Sequence, residues 1–291
     1  MPPDRALDAR LKYEGLLANR AMTLRHYENF KVASLFLPKP QRRDLYNIYA
    51  FARSADDIAD EPHLTGSRSR RLDAVEYQLR SAASQSASEP LFAALGETIR
   101  RYNLPLEPFL QLLNAFRLDL VKTRYADWSE LERYATDSAN PVGRLVLMVC
   151  GQTADHFFAL SDKICTALQF ANHWQDVAGD YRRGRIYIPQ SLLQEFSVQE
   201  ADIAQQRFKP QFRGLMSHLV EKTENLFREG KPLLNMVSRQ LKPQLFLYWG
   251  GGIAALEAIR RVDYDVLHHS ARIGSFRKLR LALQAGGIKW L

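Results

Sequence analysis

Apolar residues recur at three- and four-residue steps through 42–60, 107–121, 142–160, 162–179 and 211–238. That spacing lines one face of an α-helix. No run alternates apolar and polar residues as a half-buried strand would, and no glycine-rich nucleotide loop follows a strand. Gly250, Gly251 and Gly252 sit inside a further helical stretch, Leu245 to Val262, where small residues let two helices approach closely. Pro105, Pro108, Pro189, Pro210 and Pro232 mark helix boundaries, and Ser81–Pro90 reads as an exposed loop. No compositional break divides the 291 residues, so a single all-α domain is expected, a helical bundle of about ten or more helices.

Composition narrows the function classes. The chain is 46% hydrophobic, enough for a substantial core, and carries a net charge of +8. A basic surface favours polyanions or anionic membranes without choosing between them. The charges are dispersed and no zinc-finger or RNP-type motif is present, so no nucleic acid is expected as a partner. Cys150 and Cys165 lie in apolar, helix-like segments and read as buried free thiols of a reducing, cytoplasmic protein. The first residues lack the apolar run of a signal peptide, and no stretch reaches the ~20 apolar residues that span a bilayer.

Two aspartate motifs supply the chemistry. Asp56 and Asp60 are four residues apart, as are Asp176 and Asp180, so each pair shares one helix face. Tyr49, Arg53, Asp56 and Asp60 form one polar stripe; Gln169, Asn172, Asp176 and Asp180 form another, set among Leu168, Phe170, Trp174 and Val177. Such a stripe in apolar surroundings is costly unless it lines a pocket or binds ions. Two such faces turned toward each other would make an oxygen-lined cage suited to Mg²⁺, which takes a few carboxylates plus substrate phosphate oxygens. Arg182, Arg183 and Arg185 follow at once, and guanidinium groups match phosphate oxygens bidentately. The pattern points to an enzyme that binds and releases a diphosphate. Spacing alone assigns His26 only to helix capping or packing.

The strings HYENFKVASLFLPKPQRRDLYNIYAFARSADDIADE and ALQFANHWQDVAGDYRRGRIYIP resemble the two signatures of the squalene/phytoene synthases. Tyr134 and the run Ser138 to Arg144 resemble the middle helix of that family, and the likeness extends over roughly residues 20–280. Within the family, the SANPVGR run and the NxWQDV form of the second motif resemble the hydroxysqualene synthase branch of bacterial hopanoid biosynthesis. Condensing members usually carry arginine where this chain has Gln175. The resemblance implies an isoprenoid (terpenoid) synthase fold around a central cavity. It implies metal binding by Asp56, Asp60, Asp176 and Asp180, and diphosphate or pocket contacts by Tyr49, Arg53, Tyr134, Gln169 and Asn172. It places His26 near the diphosphate, and Phe30, Val142, Gly143 and Leu147 along a hydrophobic tunnel. Tyr264 and Lys278 would correspond to C-terminal diphosphate contacts, in addition to the arginine cluster that includes Arg185.

The implied reaction converts presqualene diphosphate and water into hydroxysqualene and diphosphate. Mg²⁺ is the expected cofactor; no NADPH is expected, because water rather than hydride quenches the cation. Two alternatives compete. One is a condensing synthase that joins two prenyl diphosphates. The other is a non-catalytic lipid-binding or scaffold protein, against which the retention of all four aspartates argues. Ser275–Ala285 mixes basic and apolar residues and suits either an anionic membrane surface or ordinary packing on the core. Peripheral membrane association, and contact with presqualene diphosphate synthase, are accordingly partners to consider.

Overall fold

Prolines and capping side chains set where the helices begin. In the computed structural model, which describes residues 5–26, 36–60, 67–84 and 86–290, with side chains over 11–21, 36–60, 67–84 and 86–287, helix is the only regular structure among the described residues. In chain order the helices are α1 (Arg5–His26), α2 (Lys39–Asp60), α3 (Arg68–Ala83), α4 (Pro90–Tyr102), α5 (Glu107–Asp119), α6 (Trp128–Ser138), α7 (Asn140–Val149), α8 (Asp155–Gln175), α9 (Val177–Arg182), α10 (Gln190–Glu195), α11 (Glu200–Ala204), α12 (Pro210–Gly230), α13 (Leu233–Met236), α14 (Lys242–Arg261) and α15 (Ser275–Trp290). Pro108 and Pro210 occupy the first turns of α5 and α12, where a missing N–H costs nothing. Pro189 and Pro232 precede α10 and α13.

Three boundaries differ from the sequence expectation. The 142–160 segment is two helices, because Gly151 turns left-handed (φ +74°) and Gln152 donates back to the Leu147 carbonyl at 2.9 Å. The 162–179 segment breaks at Asp176, described below. Ser81–Ala83 belongs to α3 rather than to a loop, held there by the burial of Ala82.

The chain forms two compact units, residues 1–121 with 141–153, and residues 122–140 with 154–291. In the first, α2 and α4 pack on each other and on α1, α3 and α5 supply the remaining faces. Gly15 permits the close crossing of α1 over α4: a Cβ there would lie 1.9 Å from the Pro90 carbonyl oxygen. A buried polar network ties the three central helices together. Asn19 donates to Asn47 at 2.9 Å, Asn47 to Thr98 at 3.0 Å, and Thr98 to Asp44 at 3.2 Å. Arg101 and the Tyr102 hydroxyl complete Asp44 at 2.8 and 2.9 Å, so this buried carboxylate is paired and hydrogen-bonded. Burial first, and then the bond to Asp44, push the Tyr102 phenol up to about 12.

In the second unit α8 is the central helix, packed by α6, α12 and α14. Trp174 is fully buried and its indole N–H donates to Thr223 of α12 at 2.8 Å. The glycine run acts as expected at two of its three positions. A Cβ at Gly252 would lie 2.1 Å from Phe227, and one at Gly250 would lie 2.9 Å from Leu281 of α15, whereas Gly251 faces open space. Cys150 and Cys165 are both free thiols, half-buried rather than fully buried, and burial pushes Cys150 up to about 12. Among the described residues no helix is long and apolar enough to cross a membrane.

Candidate active site

In the first unit, α2 is continuous through the first motif, so the predicted stripe holds. Arg53 lies 3.1 Å from Asp56 and 2.5 Å from Asp57. Burial opposes the charge on Arg53, but these two carboxylates raise its pKa above the ordinary arginine value. Asp57 is the partner that the stripe missed; its i,i+4 spacing from Arg53 was the available signal. Asp56 is half-buried and Asp60 exposed at the helix end, and Tyr49 lies half-buried within electrostatic reach of Arg53. Val142 and Gly143 on α7 are half-buried, and Leu147 is fully buried. Phe30 and the side chain of His26 lie outside the described residues.

In the second unit, the second motif is not one uninterrupted helix. α8 ends at Gln175, and Asp176 leaves the helical region (φ −115°, ψ 24°) before α9 begins. The four-residue step survives because the Asp180 N–H still donates to the Asp176 carbonyl at 2.8 Å. The Asp176 carboxylate folds back over Gly179, where a Cβ would lie 2.1 Å from Oδ1; only a residue without a side chain leaves room for it. Both carboxylates then meet one guanidinium nitrogen. Arg183 Nη2 lies 2.7 Å from Asp176 Oδ2 and 2.6 Å from Asp180 Oδ1. The two partners differ in setting: the Asp176 side chain is 54% exposed and that of Asp180 11%. Burial pushes the Asp180 carboxyl up to about 6 despite Arg183.

Arg183 was one of three undifferentiated arginines in the sequence. Its spacing of seven from Asp176 and three from Asp180 was the signal that separates it. Gly184 (φ +82°) then reverses the chain, and Arg185 returns to donate its backbone N–H to the Asp180 carbonyl at 2.9 Å. Asn172 is exposed and Gln169 half-buried on α8, while the Gln175 amide donates to the Ala271 carbonyl.

Tyr134 stands beside the second motif in the same unit, its ring centroid 6.3 Å from that of His173. Asp127 caps α6; its side chain accepts from the Glu130 N–H at 2.8 Å and so fixes the helix that carries Tyr134. Ile186 and Gln190 donate to the carbonyls of Thr123 and Tyr125, bringing Tyr187 beside Tyr125 and Tyr134. The ring centroids lie 5.3 Å apart for Tyr125–Tyr134 and 6.0 Å for Tyr134–Tyr187. His173 stacks on Tyr187 at 3.6 Å and 16°. Its burial, aided by the charge of Arg185, holds the imidazole down at about 3, so it is neutral at ordinary pH. Sequence reasoning missed this cluster, whose members come from three separate segments. Tyr264 has left-handed backbone (φ +65°) and packs under Arg213, 5.7 Å from its guanidinium carbon.

Among the described residues no group of three or more His, Cys, Asp or Glu side chains is disposed to hold a metal ion. The donor chemistry nevertheless fits Mg²⁺. Asp176 and Asp180 already converge on one positive point with hard oxygen donors, and such an ion is usually held by one or two carboxylates with the substrate completing its shell.

Comparison with known proteins identifies the family. Residues 23–277 match the squalene/phytoene synthase family. The chain is 37% identical over 209 residues to the hydroxysqualene synthase of Rhodopseudomonas palustris, covering 71% of this chain and 70% of that protein. It is 27% identical over 276 residues to the 15-cis-phytoene synthase of Synechococcus elongatus, covering 89% and 88% respectively. Among solved structures, the squalene synthase HpnC from Alicyclobacillus acidocaldarius superposes with a TM-score of 0.82 at 43% identity, over 86% of this chain and 95% of that one. The fold is the all-α isoprenoid synthase fold, and the chain belongs to the squalene/phytoene synthase family.

Proposed function

We propose that this chain is a magnesium-dependent hydroxysqualene synthase, converting presqualene diphosphate and water into hydroxysqualene and diphosphate. The convergence of Asp176 and Asp180 on a single cation carries the diphosphate chemistry. The choice of branch is supported by 37% identity to a hydroxysqualene synthase.

Asp56, Asp60, Asp176 and Asp180 would hold Mg²⁺, which when bound draws charge from the diphosphate oxygens. Arg53, Arg183 and Arg185 would neutralise the departing diphosphate. Tyr49 and Tyr134 would steady the carbocation through their ring faces, where a positive charge is attracted to the π cloud. His26, Gln169, Asn172 and Tyr264 would contact the substrate head, and Phe30, Val142, Gly143 and Leu147 its apolar body. Water attacks the rearranged cation, and the diphosphate leaving group accepts the proton, so neither a nicotinamide nor a dedicated side-chain base is required. Each aspartate pair would contribute to release of the diphosphate. The protein would work in the cytoplasm, peripherally on a membrane that dissolves its substrate and product, within reach of the synthase that supplies presqualene diphosphate.

A condensing reaction is the second reading, favoured by 27% identity to a phytoene synthase over 89% of the chain. Diphosphate release from presqualene diphosphate tests the proposal. Asp56→Asn and Asp176→Asn should each reduce release about a hundredfold or more. Full activity in either variant would overturn the role proposed for that pair.

A further inference from the structure

Three of the eight large apolar side chains that stand exposed among the described residues gather on a single helix, α15. Phe276, Leu279 and Leu283 are 81%, 57% and 68% exposed. Their steps of three and four place them on one face. The helix is not loosely held. Its opposite face buries Leu281 and Ala285, with Leu281 seated where Gly250 leaves room on α14, and Arg277 donates to Glu257 of α14 at 2.9 Å. The apolar stripe is thus presented outward by a helix anchored on its other side.

Its charge setting is one-sided. From Val266 to Leu291 the sequence holds five Lys or Arg and no Asp or Glu. Arg272, Lys278 and Arg280 are exposed around the stripe. A second copy of this chain is a poor occupant, because a two-fold contact sets a patch against itself and would oppose like charges. A surface both apolar and anionic fits both features, and an amphipathic helix with Phe and Leu on one face and basic residues beside them lies in the headgroup region of a bilayer.

We propose that the Phe276–Leu279–Leu283 face of α15 seats the protein on anionic lipid bilayers. This deepens the peripheral-membrane part of the function proposed above, and it stands whichever reaction the chain performs. Full-length protein would be co-sedimented with vesicles of phosphatidylcholine alone, and with vesicles containing about one-third phosphatidylglycerol. The same would be done with the triple variant Phe276→Ser, Leu279→Ser, Leu283→Ser. Wild type should prefer the anionic vesicles, lose binding as salt is raised, and exceed the variant by about tenfold or more. Turnover in detergent micelles should be equal in the two proteins, which separates failure of the surface from failure of the proposed reaction. Equal sedimentation of the two, no sedimentation of the wild type, or a wild-type dimer that the triple substitution dissociates in sedimentation velocity would overturn the proposal.

Discussion

Acid should destabilise this protein through His173. The imidazole is stacked on Tyr187, and its Nε2 has no hydrogen-bond partner among the described residues. Burial, with Arg185 adding to it, lowers its pKa to about 3, against about 6.5 for an unfolded histidine. The folded state therefore refuses a proton that the unfolded chain accepts. The stability that follows from keeping the ring neutral is fully present above about pH 6.5 and is lost as pH falls through the window down to about 3. The slope within that window is about 1.4 kcal/mol per pH unit, which integrates to about 2 kcal/mol between about pH 7.5 and about pH 5. Other groups titrate over the same range, so the informative quantity is the difference from His173→Phe, which preserves the stack and has nothing to protonate. Denaturant unfolding followed by tryptophan fluorescence at the two pH values should show the wild type losing about 2 kcal/mol more than the variant. At the higher pH the two should agree within about 1.5 kcal/mol, as near-isosteric core replacements do. Equal losses in both proteins would refute the reasoning.

Gly179→Ala should cost turnover rather than stability, since its Cβ would lie 2.1 Å from Asp176 Oδ1 and displace that carboxylate; we expect a loss of about a hundredfold with a nearly unchanged melting temperature, and undiminished turnover would contradict the assigned role of Asp176. Arg183→Ala removes the cation that bridges Asp176 and Asp180, so substrate-free Mn²⁺ binding, read by calorimetric titration, should tighten by about tenfold; unchanged affinity would mean that the arginine and the metal do not compete. Thr223→Val leaves the buried Trp174 indole N–H without its acceptor and should lower unfolding free energy by about 1–3 kcal/mol, and a neutral result would show that another acceptor replaces the hydroxyl.

The helices and their apolar faces were legible because periodic burial is written along the chain: α2 bears the Arg53, Asp56 and Asp60 stripe as its steps require. Gly250 and Gly252 likewise mark helix contacts that their small size foretold. The interruption at Asp176 was not legible, since periodicity averages over a turn and one non-helical residue with a retained backbone hydrogen bond leaves the pattern intact. Arg182, Arg183 and Arg185 were read together as one cluster; the spacing of Arg183 from Asp176 and Asp180 singles it out only once the sharp turn after α9 and the fold of Asp176 over Gly179 are seen. The stack of Tyr125, Tyr134, His173 and Tyr187 joins residues from three segments, which no local pattern announces. The outward apolar stripe of α15 was ambiguous in sequence because membrane-facing and core-facing stripes look alike; only the placement of Leu281 against α14 shows which face is packed.

The central claim is the identity of the reaction, and product analysis by gas chromatography–mass spectrometry tests it most directly. Purified protein with Mg²⁺ and without NADPH would receive presqualene diphosphate or farnesyl diphosphate in separate incubations. The account predicts hydroxysqualene from presqualene diphosphate only, abolished by chelation and by Asp176→Ala. Presqualene diphosphate or a condensed hydrocarbon formed from farnesyl diphosphate alone would contradict it and place the chain among the condensing synthases.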